Sequence, residues 1–60
     1  MSKKSNKQQL QILDEQIETA VSQGDRAKAA GLHGQKALIY TLALDFRNAA
    51  KEVAKAGVLA

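Results

Sequence analysis

His33 is the only histidine in a sixty-residue chain that has no cysteine, so proton transfer or metal binding would be sought there first. It stands in Gly31-Leu32-His33-Gly34, with no Asp, Glu or Cys at metal-ligand spacing on its own chain. Two copies could meet across a dimer; otherwise His33 reads as a solvated helix residue. Asp14, Glu15 and Glu18 have the chemistry of acids and bases, but general acid-base work needs a desolvated cleft, and a solvated helix face offers none. Ser5, Ser22 and Thr41 have no partnered base in the sequence, and the Gly31 to Gly34 segment lacks the spacing and preceding strand of a phosphate loop. The expectation is a protein that is not an enzyme, with no catalytic residue, metal, cofactor or small-molecule substrate.

The basic residues carry more. Lys36, Arg47, Lys51 and Lys55, with Tyr40 and Ala43 between them, fall within roughly 100° of one helix face at 100° per residue. Such a stripe can follow phosphates, and Lys3, Lys4 and Lys7 would add a flexible grip. Against this, Asp45 and Glu52 are close by, the net charge is +3 with a pI near 9.5, and 25% charged residues is an ordinary fraction. A charged stripe is usually the solvated face of a helix. Nucleic-acid contact is therefore the alternative reading, and protein interaction the leading one; an amphipathic membrane-surface role is weaker still.

The elements that would hold these residues are helices. Residues 1 to 5 read as a disordered basic arm. Ser5 and Gln8 have capping-box spacing, which starts a first helix over about 6–23. Leu10, Leu13, Ile17, Ala20 and Val21 mark its apolar face, with Ile12 at the edge. Gly24 suits the left-handed position that ends a helix, and Asp25 can cap the next one immediately.

That second helix is predicted over about 26–56, roughly 45 Å long against roughly 27 Å for the first. Leu32, Gln35, Ile39, Leu42, Phe46, Ala49, Val53 and Ala56 alternate steps of three and four along it, the rhythm of a seam laid against another helix. Leu38 and Ala50 widen the seam, and Gln35 is its one polar member. Ala27, Ala30, Gly31, Gly34 and Ala37 form a face of small side chains that would let the first helix approach closely. The alternative is a break near Gly31 to Gly34, since each glycine costs about 1 kcal/mol in a helix interior. Lys51 and Lys55 in the last turns, Gly57 beyond them and Val58 folding onto Val53 would end the helix.

Such a chain is small for a stable core and has no cysteine with which to staple one. The second half of the long helix extends past anything the first can cover. We therefore expect an all-α antiparallel helical hairpin that dimerises into a four-helix bundle, with Leu32, Ile39, Leu42, Phe46, Ala49 and Val53 as the self-association seam. Lys3 and Lys4 are followed by Asn6, Lys7, Gln8 and Gln9 rather than an apolar run, and no apolar stretch approaches eighteen residues. Export and membrane insertion are not expected; the cytoplasm is.

A helix, a minimal turn and a second helix in sixty residues resembles the plasmid copy-number regulators that dimerise as antiparallel four-helix bundles and bind RNA. Gln23-Gly24-Asp25-Arg26-Ala27-Lys28-Ala29 resembles the turn between the helices of a tetratricopeptide repeat, a pattern from which His33 and Lys36 then depart. In size, charge and style the chain is also similar to small accessory proteins of temperate bacteriophages and plasmids. That likeness implies a regulator that binds a host protein.

Overall fold

The structure is a computed structural model that describes residues 5–59. Beyond Ser5 the described residues are helical apart from two turns: α1 spans Asn6–Ser22, α2 Arg26–Leu42 and α3 Phe46–Leu59. The cationic arm expected at residues 1 to 5 lies outside the described residues except for Ser5, which is the cap of α1. Its Oγ accepts from the Gln8 amide at 3.1 Å, while Gln8 Oε1 accepts from the Ser5 amide at 3.1 Å, completing the capping box.

Three helices stand where two were expected. The predicted second helix is divided at Ala43–Asp45, not at Gly31 to Gly34, and no hairpin with one long arm exists. Leu44 adopts a left-handed backbone with φ 61°, and the Asp45 amide donates to the Tyr40 carbonyl at 2.8 Å. The first turn does the same with Gly24 at φ 73° and the Asp25 amide on the Ala20 carbonyl at 2.9 Å. Each turn thus closes the helix before it with a Schellman-type bond, and its aspartate caps the helix after it: Asp25 accepts from the Lys28 amide and Asp45 from the Asn48 amide. Asp45 is further tied to the Asn48 side chain at 2.7 Å, and that hydrogen bond holds its carboxyl below the usual aspartate range.

Gly31 and Gly34 pass through α2 without interrupting it, and open space lies where a side chain would project from either. The small-residue face therefore does not seat α1. Instead Leu13 and Ala20 of α1 pack on Ala29 and Leu32 of α2, with Ile17, Ile39 and Leu59 around them. At the far end, α3 continues through Gly57 to Leu59, so neither the glycine stop nor the fold-back of Val58 occurs.

α2 lies between α1 and α3, which make no backbone approach to each other within 8 Å among the described residues. They meet through side chains, with Leu59 reaching the α1–α2 cluster. The result is closer to a bent layer than to a bundle, with Cα extents of 34 × 25 × 11 Å. Among the described residues no large side chain is fully buried. Among the described residues no helix is long and apolar enough to cross a membrane.

Candidate functional site

Ala29, His33, Lys36 and Tyr40 succeed one another at steps of four, three and four, which places them on one side of α2. The same rhythm puts Ala49, Glu52, Ala56 and Leu59 on one side of α3. Where these stripes meet in the hollow between α1 and α3, five titratable side chains converge. Lys36 Nζ lies 2.6 Å from Asp14 Oδ1 of α1 and 3.4 Å from Glu52 Oε1 of α3. His33 Nδ1 is 2.7 Å from the same Glu52 oxygen, and Lys55 Nζ is 3.4 Å from the other. Lys36 and Glu52 are the buried charged residues of the structure, at 7% and 4% exposure.

A buried charge is tolerated only when its partners replace water, and here they do. Burial alone would push the Glu52 carboxyl up; the hydrogen bond from His33 and the charges of Lys36 and Lys55 outweigh it and hold the group below the usual glutamate range. Burial would likewise depress the Lys36 ammonium, but the hydrogen bond to Asp14 and the field of Glu52 raise it above that of a free lysine. An ionised carboxylate can only accept, so His33 donates from Nδ1. No buried side-chain polar atom of the described residues lacks a partner.

The chemical capacity of this cluster is structural. Glu52 already accepts from three side chains, which makes it a poor base. Thr19, Ser22 and Thr41 spend their hydroxyls on the carbonyls of Glu15, Thr19 and Ala37, so none stands ready as a nucleophile. Asp14 is largely exposed and bound to Lys36, while Glu15 and Glu18 face solvent. No three of the described His, Asp and Glu residues are grouped to hold a metal ion.

His33 is thus not a solvated residue but a half-buried partner of Glu52. The signal that could have found it was the i, i+3 pairing of His33 with Lys36 on a helix side otherwise made of Ala29 and Tyr40, against a glutamate flanked by alanines on the next helix. Lys36 likewise leaves the basic stripe, since its ammonium is enclosed. Arg47, Lys51 and Lys55 remain exposed on α3, one turn apart.

The expected seam also divides. Leu32 and Ala49 are buried within the chain, and Ile39 packs against its core. Leu42, Phe46 and Val53 stay exposed at 77%, 61% and 61%, joined by Leu38, Leu44, Val21 and Val58. Comparison with protein-family models, with curated proteins and with solved structures finds no match to this chain.

Proposed function

We propose that the protein is a non-enzymatic interaction protein, a small cytoplasmic regulator that works as a homo-oligomer by binding a protein partner. The observation that supports this most is the exposure of seven large apolar side chains on so small a chain, at 57% or more each. Singly scattered they would be ordinary, but Leu38, Phe46 and Val53 share one side of α2 and α3, and covering such residues with a second surface returns on the order of 1 kcal/mol or more for each. The lack of a free base, a poised hydroxyl or a grouped metal-ligand set among the described residues is in keeping with a role exercised through surfaces.

The nucleic-acid reading rests on one feature, the exposed stripe of Arg47, Lys51 and Lys55. It is the weaker of the two, because Lys36 is committed to Asp14 and Glu52, and Lys55 leans on Glu52 as well.

Sedimentation equilibrium over a wide concentration range, with circular dichroism on the same samples, tests the leading reading. The expected result is twice the monomer mass, with helicity that falls on dilution. A stably helical monomer at every concentration overturns it.

A further inference from the structure

The bent layer has two unlike sides. One carries the charge cluster, and beside it Val21, His33, Ala54, Lys55, Val58 and Leu59 line a hollow between the ends of the helices. On the other side, Ile12 and Leu13 of α1 and Leu38 and Ile39 of α2 line a second hollow with Gln9, Gln16 and Gln35. Leu38 projects roughly 200° around α2 from Lys36, so this second hollow opens on the side opposite the charges. On α3, Val53 and Phe46 stand roughly 100–120° from Glu52 in the sense away from Lys55, with Ala50 and Gly57 just beyond. Lys55 borders the hollow shared with Val21 of α1, so the Phe46–Val53 side of α3 faces away from α1 and continues the surface of Leu38.

From Leu38 to Val53 this convex face is uncharged: Gly34, Leu38 and Thr41 come from α2, and Phe46, Ala50, Val53 and Gly57 from α3. Thr41 has already paired its hydroxyl with the Ala37 carbonyl at 2.8 Å, so covering it leaves no orphaned donor. Charges stand only at its margins: Arg47 and Lys51 beside Ala50 on α3, and Glu15 and Lys28 with Gln16 and Thr19 toward α1.

We infer that this convex face binds a second copy of the chain, back to back, so that α2 and α3 of each copy form a four-helix interface and the two charged sides point outward. The inference rests on the self-association proposed above and assigns the surface that does it. Three observations select this occupant. The absence of charge in the centre of the face gives a charged partner no handle, while it lets two chains of net charge +3 meet without like charges opposed. The whole side of the layer, 34 × 25 Å between its extremes, sets an upper bound of roughly 850 Å², near what each partner of a stable complex contributes, so the pairing must use α2 and α3 along their full lengths. Finally, an antiparallel α3 pair sets Phe46 over Gly57 of the other copy and Ala50 over Val53, large against small. Nothing lies within 4 Å of where a Gly57 side chain would project, so that space is open to an aromatic ring.

The chain has no cysteine, so a single introduced thiol reports on one position. Ala50→Cys places it within the face, and Lys51→Cys places it roughly 100° further round α3, on the side of Lys55 and off the face. Maleimide alkylation of each is followed from low to high protein concentration, with the mass read by sedimentation on the same samples. We expect the Ala50→Cys thiol to slow about tenfold as the dimer fills, while the Lys51→Cys thiol keeps its rate. A dimer in which both thiols react equally fast at all concentrations overturns the assignment of the face yet leaves self-association standing. A monomeric mass throughout overturns both.

Discussion

Nδ1 of His33 lies 2.7 Å from Oε1 of Glu52, and this contact joins α2 to α3 at the depth where Lys36 reaches the same oxygen from 3.4 Å. Because Lys36 also holds Asp14, one buried ammonium and one buried carboxylate tie all three helices. Removing Glu52 leaves the buried ammonium of Lys36 with only the largely exposed Asp14, and removing Lys36 takes a buried cation from Glu52, whereas removing both leaves a hole that apolar atoms can fill. Glu52→Ala should therefore cost about 3 kcal/mol of unfolding free energy. Glu52→Leu combined with Lys36→Met should recover most of it. Urea titrations followed by circular dichroism read both; a loss in the single variant no larger than that in the double would show that the pair is not coupled.

The same cluster fixes a direction for pH. The Glu52 carboxyl is held below its ordinary value of 4.5, so the native state gives up that proton more readily than the unfolded chain. Its stabilisation is complete above pH 4.5 and fades as the pH drops through the folded value. The Lys36 ammonium is raised above 10.5, so its share is complete below that pH and is lost above the folded value. Thermal melts should accordingly show a plateau across neutral pH and a fall on the acid side, and Glu52→Gln should flatten that fall. An unchanged acid limb in the variant would place the sensitivity in other carboxylates.

Leu44 stands where the first turn has Gly24, in a left-handed conformation that a side chain resists. Its side chain is 75% exposed and contributes little packing within the chain. Leu44→Gly should therefore stabilise the monomer by about 1 kcal/mol, and Gly24→Ala should destabilise it by a similar amount. Asp45→Ala should cost about 1 kcal/mol as well, since it removes the cap on the Asn48 amide. A shift in melting temperature upward for the first and downward for the other two is the expected pattern.

That turn is also where the sequence misleads. Ser5, Gly24 and Asp25 announce the first helix and its end because their side chains, or the lack of one, satisfy the backbone locally. At the second turn only Asp45 gives such a signal. Leu42, Leu44 and Phe46 around it continue the apolar rhythm, so periodicity bridges a break that the backbone makes at modest strain. Gly31 and Gly34 mislead in the opposite sense, because the costs of two glycines are offset by the contacts of Ala29, Leu32 and Ala37 on the same helix. The charge cluster was hidden for a related reason. His33 and Lys36 look like solvent positions until α3 folds back and brings Glu52 to them, and that return depends on the break. They are also the residues that depart from the tetratricopeptide pattern.

The exposed stripe of Arg47, Lys51 and Lys55 allows one further prediction. Three phosphate contacts give a plot of log affinity against log salt a slope of about −2.7 on duplex DNA. In the proposed back-to-back pair the two stripes would lie on separate edges of the dimer, so one duplex would meet only one of them and the slope should not double. Lys36 adds nothing to it, since its ammonium is held by Asp14 and Glu52. Fluorescence anisotropy with a short duplex should thus find weak, salt-sensitive binding that Lys51→Glu with Lys55→Glu abolishes and that Asp14→Asn leaves in place. A slope near −6 would mean that both stripes, or the residues before Ser5, reach the same duplex, and it would favour the nucleic-acid reading over the protein-binding one.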